Sequence, residues 1–142
     1  MTKKKESRGD QIMKKNMSLI YKKKLTVLIV DEDPYRCGDY MGIIQMAGGF
    51  AYMARNAEEA VKLHRDGDYY NLIIMDMNDM SLIDGVPLIT KLRDMKVTSM
   101  IVGVTSREDE NRAFMEAGVD HCLVKPLTFG KMDPIINQLK SL

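Results

Sequence analysis

Short apolar segments recur along the chain, and their alternation with amphipathic stretches is the feature that most constrains the fold. Four of them begin at Leu25 (LTVLIV), Leu72 (LIIM), Met100 (MIVGV) and His121 (HCLV). They show little apolar-polar alternation, which is typical of strands that are buried on both faces of a parallel sheet. The weaker segment FAYMA, residues 50–54, falls where the alternation requires a fifth strand.

Stretches of helical period follow the predicted strands. These predicted helices run from Pro34 to Ala47, Ala57 to Arg65, Asp84 to Asp94, Glu108 to Ala117 and Thr128 to Leu139. Consecutive β-α units form right-handed crossovers, which place helices on both faces of one sheet. We therefore predict an α/β fold, a doubly wound (βα)5 sandwich around a parallel five-stranded sheet.

Residues with special backbone preferences mark the helix boundaries. Pro34 suits the first turn of a helix, and Gly48 can end that helix with a positive φ. Asp84 is a candidate cap for the third helix, which puts Pro87 in the first turn, where amides have no intrahelical partner.

Length and composition indicate one soluble domain with a single core. The chain has 142 residues, of which 45% are hydrophobic and 29% are charged. No apolar run approaches the roughly 20 residues that span a bilayer, and no signal peptide is visible, so we expect no membrane association. The expected location is the cytoplasm, and also the nucleus, because the chain is small. Cys37 and Cys122 form no CxxC pair and indicate neither zinc nor a disulfide framework.

Basic residues are concentrated before the first predicted strand. Residues 1–24 hold nine Lys or Arg and only two acids, although the net charge of the whole chain is +1. We predict a flexible basic arm over residues 1–24, followed by the domain over residues 25–142. Contact of this arm with nucleic acid, anionic lipid or a transport receptor is the alternative.

Polar residues follow four of the predicted strands. In chain order they are Asp31 and Glu32, Asp76, Thr105 and Lys125. The functional crevice of a doubly wound sheet lies outside the carboxyl ends of its strands. Each of these motifs alone is a weak signal, but all four in this order form a specific one.

These residue types suit phosphoryl transfer to a carboxylate. Asp31, Glu32 and Asp76 would bring together three negative charges, which favours a hard divalent cation such as Mg²⁺ or Mn²⁺. Lys125 can pair with Asp76 at rest and with a phosphoryl oxygen afterwards. Thr105 offers a hydroxyl donor. The protein then contributes mainly positioning and electrostatics.

The segments VLIVDEDP, LIIMD, VTS and LVKPL make the chain resemble the receiver domain of two-component response regulators, over about residues 25–142. The resemblance implies a flavodoxin-like sheet of order 2-1-3-4-5. It also implies the site. The implied catalytic residues are Asp76 as phosphoacceptor, Thr105 as switch hydroxyl and Lys125 as phosphate partner. The implied metal ligands are Glu32 directly, Asp31 through water, Asp76, and Asn78 through its backbone carbonyl.

The segments KLRDMKVTSMIVGVTS and AFMEAGVDHCLVKPLT are similar to the plant type-C response regulators, which have a receiver and no output domain. This resemblance implies a stand-alone, monomeric receiver that takes phosphoryl groups from a histidine-containing phosphotransfer protein, with a hybrid histidine kinase further upstream. It implies hydrolysis of the acyl phosphate, damping of cytokinin-type signalling and no DNA partner. Whether this is enzymatic stays open, since we expect phosphohistidine phosphatase-like activity and autodephosphorylation without turnover of an independent substrate.

The chain departs from the receiver pattern in two places. Met80 replaces the usual Pro, and the Asp84-Gly85 pair comes one position late, so the loop after Asp76 is one residue longer. Cys122 occupies the place where many receivers carry a switching Tyr or Phe. These departures leave a second hypothesis open, in which a pseudo-receiver binds and sequesters phosphotransfer proteins without phosphorylation. A third hypothesis, a flavin-binding protein that shares this fold, is disfavoured because the acidic segment DEDPYR would repel a phosphate.

The resemblance also implies that a phosphotransfer protein docks against the first helix. We predict that Tyr35, Arg36, Tyr40 and Met41 form part of this partner surface.

Overall fold

Five parallel strands form one sheet of order β2-β1-β3-β4-β5 in the computed structural model, which describes residues 7–9, 25–77 and 82–141. The strands are β1 (Thr26–Val30), β2 (Phe50–Ala54), β3 (Leu72–Asp76), β4 (Met100–Thr105) and β5 (His121–Val124). The helices are α1 (Pro34–Met46), α2 (Ala57–Arg65), α3 (Leu82–Asp94), α4 (Asn111–Ala117) and α5 (Phe129–Lys140), with a 3-10 helix at Glu108–Glu110. The predicted doubly wound fold and its strand order are confirmed.

Helices cover both faces of the sheet. Val27 and Ile29 of β1 pack on one side with residues of α1 and α5. Leu28 and Val30 point to the opposite side, where α2, α3 and α4 pack. All four side chains are almost fully buried. A central strand with two covered faces needs apolar residues at every position, which explains the absence of alternation in the sequence.

The pairing register brings the carboxyl ends of the strands to one edge. Val30 at the end of β1 pairs with Met75, one residue before Asp76. Asp76 in turn pairs with Val104, and Thr105 pairs with Val124. Residues that follow these positions therefore meet in space, although they are far apart in the chain.

Helix α1 begins where the sequence predicted, and its start is well capped. Pro34 is its first residue, and the side chain of Asp33 accepts hydrogen bonds from the amides of Tyr35 and Arg36. Gly48, just beyond its end, has a φ of 77°, a conformation that other residues adopt at a cost. The predicted boundary is confirmed.

Helix α3 differs from the prediction. It begins at Leu82, so Asp84 lies inside its first turn and does not precede the helix as a cap. Pro87 then lies in the second turn, where its missing N–H removes one intrahelical hydrogen bond.

Two predicted features fall largely outside the described residues. Of the basic arm at residues 1–24, only residues 7–9 are described, and Asn78 and Met80 lie in the interval between residues 77 and 82. Among the described residues, none of the helices is both long enough and apolar enough to cross a membrane.

Candidate functional site

Asp76 is a fully buried carboxylate at the end of β3, and three side chains from other parts of the chain contact it. The ammonium of Lys125 lies 2.8 Å from Oδ2 and 3.2 Å from Oδ1. The phenol of Tyr40 donates a 2.7 Å hydrogen bond to Oδ2. Nε of Arg36 lies 3.0 Å from the same oxygen. Burial of a polar group without partners is costly, and these three side chains supply hydrogen-bonding and ionic partners to the carboxylate of Asp76.

The segment after β5 places Lys125 beside Asp76. The backbone amide of Lys125 donates to the carbonyl of Thr105, which fixes the end of β5 against β4. Lys131, at the start of α5, donates from Nζ to the carbonyls of Val124 and Pro126 at 2.7 and 2.8 Å. Val124 and Pro126 are the residues on either side of Lys125, so these hydrogen bonds from Lys131 stabilise the backbone segment that positions Lys125.

Asp31 is the second buried carboxylate of the site, and Arg36 binds it through two atoms. Nε of Arg36 lies 2.8 Å from Oδ2 of Asp31, and Nη2 lies 2.7 Å from Oδ1. Oδ1 of Asp31 also accepts from the amide of Asp33. The guanidinium therefore links the carboxylates of Asp31 and Asp76, which come from the ends of two neighbouring strands.

Tyr40 lies one helical turn after Arg36 and faces the sheet, with 4% of its surface exposed. Burial, and then the hydrogen bond to Asp76, raise the pKa of Tyr40 far above its ordinary value, so the phenol remains a donor. The prediction that Tyr40 forms part of a partner surface is wrong, because its side chain is buried in the site. Arg36 also contacts the site, but its side chain is 26% exposed, and its place in a partner surface stays a prediction. Tyr35, by contrast, is 88% exposed.

The spacing along α1 carries a signal for this inward face. Arg36, Tyr40 and Ile44 follow one another at intervals of four residues, and Ile44 is fully buried in the core. Side chains four residues apart share one face of a helix. The helical spacing thus predicts that Arg36 lies on the same face of α1 as buried Ile44. It also places Arg36 in the first turn of α1, close to Asp31.

Thr105 lies at the same edge of the sheet and is 1% exposed. Its hydroxyl oxygen accepts a 2.9 Å hydrogen bond from the amide of Arg107. Glu32 is exposed, in contrast to Asp31 beside it. Successive residues at the end of a strand point in opposite directions, which accounts for this difference. The metal role of Glu32 stays a prediction, as does that of Asn78, which lies outside the described residues.

The side chains at the site fit the binding of a divalent cation only in part. Asp31 and Asp76 supply buried carboxylate oxygens, the donor type that Mg²⁺ prefers. In residues 7–9, 25–77 and 82–141, however, no group of three His, Cys, Asp or Glu side chains comes close enough together to hold a metal. The space between the two carboxylates is bridged by a positive group of the chain itself, Arg36. The donor chemistry fits a cation once that guanidinium has moved.

Cys122 lies on β5 beside Gly103 and Met77. A Cβ added at Gly103 would lie 3.1 Å from Cγ of Met77 and 3.7 Å from Sγ of Cys122, so these side chains fill the space above the glycine. Burial raises the pKa of the Cys122 thiol. The thiol therefore packs in the place where the receiver pattern usually has an aromatic ring, and its raised pKa disfavours the thiolate.

Comparison with known proteins identifies the family. The model of the response regulator receiver domain matches residues 27–137. The chain belongs to this family. It is 54% identical over 130 residues to the two-component response regulator ARR22 of Arabidopsis thaliana, a match that covers 88% of this chain and 91% of that protein. ARR22 is a type-C response regulator, so the resemblance to that group is confirmed.

Solved structures agree on the fold of this receiver domain. The response regulator TrrA of Thermotoga maritima, in complex with Mg(2+)-BeF, has a TM-score of 0.70 at 25% identity, covering 81% of this chain and 98% of that one. The receiver domain of Ssk1 of Saccharomyces cerevisiae, in a co-crystal with the histidine phosphotransfer protein Ypd1, has a TM-score of 0.71 at 20% identity, covering 83% and 90%.

Proposed function

We propose that this receiver takes a phosphoryl group from a phosphohistidine onto Asp76 and then loses it by hydrolysis. The observation that carries the proposal is the buried carboxylate of Asp76, held at the end of a central strand with the ammonium of Lys125 against both of its oxygens. A buried carboxylate beside a positive point charge is suited to accept a phosphoryl group. After transfer, the ammonium of Lys125 can pair with the oxygens of the phosphoryl group.

The transfer exchanges one bond to phosphorus for another. An oxygen of Asp76 attacks phosphorus, the bond between phosphorus and the histidine nitrogen breaks, and an acyl phosphate forms. Water later attacks the same phosphorus, which releases inorganic phosphate and restores the carboxylate. Lys125 pairs with the phosphoryl oxygens in both steps, and the hydroxyl of Thr105 is the proposed second donor.

A Mg²⁺ or Mn²⁺ ion is part of the proposal. Asp31 and Asp76, with Glu32 and the carbonyl of Asn78, would hold it, and when bound it would offset charge on the phosphoryl group. The likeness to TrrA, whose structure contains Mg(2+)-BeF, supports this cofactor.

The donor class and the biological role rest on the relatives. The receiver domain of Ssk1 has the same fold and is seen in a co-crystal with the histidine phosphotransfer protein Ypd1, which supports a histidine-containing phosphotransfer protein as the donor. A hybrid histidine kinase upstream of this donor is proposed from the resemblance to the family. The 54% identity to ARR22 supports the type-C role, in which the receiver drains phosphoryl groups and damps cytokinin-type signalling. Exposed Tyr35, at the start of α1, is a proposed contact for the donor.

A second function is favoured by one observation, the guanidinium of Arg36 between Asp31 and Asp76. If this group never leaves, the site cannot bind a divalent cation. The chain would then be a pseudo-receiver that sequesters phosphotransfer proteins without accepting a phosphoryl group.

Phosphorylation by phosphoramidate tests the first function, because its P–N bond resembles that of phosphohistidine. The protein is incubated with phosphoramidate and Mg²⁺, and intact-protein mass spectrometry measures the gain of one phosphoryl group. We expect the gain in wild type and in the control Asp66→Asn, whose carboxylate is exposed beyond α2, and none in Asp76→Asn. Undiminished labelling of Asp76→Asn would contradict the assignment.

Phosphorylated Ypd1 tests the donor class in the same format. Transfer that is lost in Asp76→Asn and suppressed by a chelator supports the proposed relay. Tight binding of Ypd1 without any transfer from either donor would favour the pseudo-receiver.

A further inference from the structure

Arg36 lies between the carboxylates of Asp31 and Asp76, two of the residues that would hold a divalent cation. Its Nε lies 2.8 Å from Asp31 and 3.0 Å from Asp76, and its Nη2 lies 2.7 Å from Asp31. Both carboxylates are buried, whereas the Arg36 side chain is 26% exposed. The guanidinium thus reaches the buried oxygens from the open side of the site, where it can also leave.

A guanidinium and a hard cation compete for the same oxygens. Both oxygens of Asp31 already accept charge-assisted hydrogen bonds from Arg36, and Oδ2 of Asp76 forms an ion pair with its Nε. A cation that shares these oxygens with the guanidinium would meet a like charge at close range, and such repulsion is strong away from bulk water. The two occupants therefore exclude each other.

Asp33 gives the displaced side chain a second partner. Its Oδ2 lies 3.8 Å from Nη1 of Arg36, and its side chain is 43% exposed at the mouth of the site. The guanidinium can therefore turn outward to Asp33 without losing every ionic contact. Because Asp33 precedes α1 and caps it, this second partner stands on a fixed part of the backbone.

We propose that Arg36 is a resident counter-ion of the acidic site, and that a divalent cation binds only when the guanidinium leaves Asp31 and Asp76 and turns toward Asp33. This inference rests on the proposed function, since it concerns the cation that assists transfer to Asp76. Arg36 is a positioning residue in this scheme: it sets how tightly the site binds metal without touching the phosphoryl group. The consequence is that metal affinity is limited by the chain itself.

Binding of Mn²⁺ to Arg36→Met tests the inference directly, with electron paramagnetic resonance of the free ion as the readout. The control is Arg112→Met, which removes the same charge from a side chain that is 90% exposed. An opposite charge at contact distance changes proton binding to a carboxylate by about 10- to 1000-fold. We therefore expect Arg36→Met to bind Mn²⁺ at least about tenfold more tightly than wild type, and Arg112→Met to match wild type.

Two results separate the inference from the proposed function. If Arg36→Met and wild type bind Mn²⁺ equally well, the inference is overturned and the metal site stands. If folded Arg36→Met binds no Mn²⁺, both the metal site and the inference are overturned.

Asp33→Asn tests the second position of the guanidinium. Asn also caps helices well, so α1 keeps its start while the ionic partner is removed. We expect Asp33→Asn to weaken Mn²⁺ binding in the wild-type background. The same change should have a smaller effect in an Arg36→Met background, because the guanidinium that Asp33 would bind is then absent. Equal effects in the two backgrounds would show that the Arg36 guanidinium does not turn outward to Asp33.

Wild-type protein offers a measurement that needs no variant. Nε–H of Arg36 is held between two carboxylates, and its ¹⁵N-¹H resonance should exchange slowly with water. Addition of Mg²⁺ should move this resonance and speed its exchange as the guanidinium leaves. If the amide resonances around Asp31 and Asp76 shift while that of Arg36 Nε–H stays unchanged, the inference is wrong.

Discussion

The phenol of Tyr40 donates a 2.7 Å hydrogen bond to Oδ2 of Asp76, and this bond joins the core face of α1 to the end of β3. The donor is neutral and the acceptor is a buried carboxylate, so the bond is charge-assisted. It links packing to chemistry, because the same helix face that buries Ile44 also fixes the carboxylate that is proposed to accept a phosphoryl group.

Replacement of Tyr40 by Phe should lower the free energy of unfolding. The ring still fills its place in the core, but a hydrogen bond to a charged group is lost, which costs about 1.5 to 3 kcal/mol. Urea unfolding at pH 7 measures this loss. Tyr35→Phe is the matched control, since Tyr35 is 88% exposed and its change should leave the unfolding midpoint in place.

The contribution of Tyr40 should also depend on pH. Its pKa is raised above the ordinary value of 10.0 in the folded protein, so the folded state keeps a proton that the unfolded chain releases. The contribution is therefore complete below about pH 10 and shrinks as the pH rises further, by up to about 1.4 kcal/mol per pH unit.

Unfolding of wild type and Tyr40→Phe between pH 8 and pH 11 checks this dependence, provided that both remain folded at the start of each titration with urea. The difference in stability should be constant at the lower values and fall at the upper ones, roughly from the ordinary tyrosine pKa of about 10 upward. A difference that stays constant across the whole series would mean that the folded state does not retain the proton.

The strands could be predicted from the sequence because β1 and β3 lie between two covered faces. Val27 to Val30 and Leu72 to Met75 are all buried, so each strand appears as an unbroken apolar run. Parallel pairing then fixes the edge at which Asp31 and Asp76 emerge. The positions of Asp31 and Asp76 therefore follow from the fold, because the strand order and the strand ends alone determine where these residues lie.

Side-chain choices on α1 could not be predicted in the same way. We assigned Arg36 and Tyr40 to a partner surface because the resemblance to receivers implies that a phosphotransfer protein docks against this helix. Their four-residue spacing to Ile44 places them on the core face, and the buried carboxylates supply the partners that make an inward arginine and phenol stable. Composition gives no information on such partners, because they come from distant strands.

Lys125 should be required for efficient transfer to Asp76. Its ammonium contacts both oxygens of the carboxylate, and removal of one such donor typically slows a reaction by about 10² to 10³. We expect a loss of this order for Lys125→Met with phosphoramidate as donor, followed by mass spectrometry over time. Lys91→Met, at an exposed position of α3, is the control for lost positive charge. Transfer by Lys125→Met at the wild-type rate would contradict the role of Lys125.

Lys131 should affect the same reaction without touching Asp76. Its Nζ donates to the carbonyls of Val124 and Pro126, so Lys131→Met leaves the segment around Lys125 less constrained. The loss equals one or two ordinary hydrogen bonds at an exposed position, and we expect transfer to slow by about twofold to tenfold. Lys131→Arg, which keeps donors in reach of both carbonyls, should recover most of the rate. The control is again Lys91→Met.

A purely structural role for Lys131 would give a different result. In that case Lys131→Met would lower the unfolding midpoint, and transfer measured well below that midpoint would proceed at the wild-type rate. A positioning role requires the rate to fall at temperatures where the variant is fully folded. It also requires the effect to vanish in a Lys125→Met background, because Lys131 acts only through the ammonium whose place it fixes.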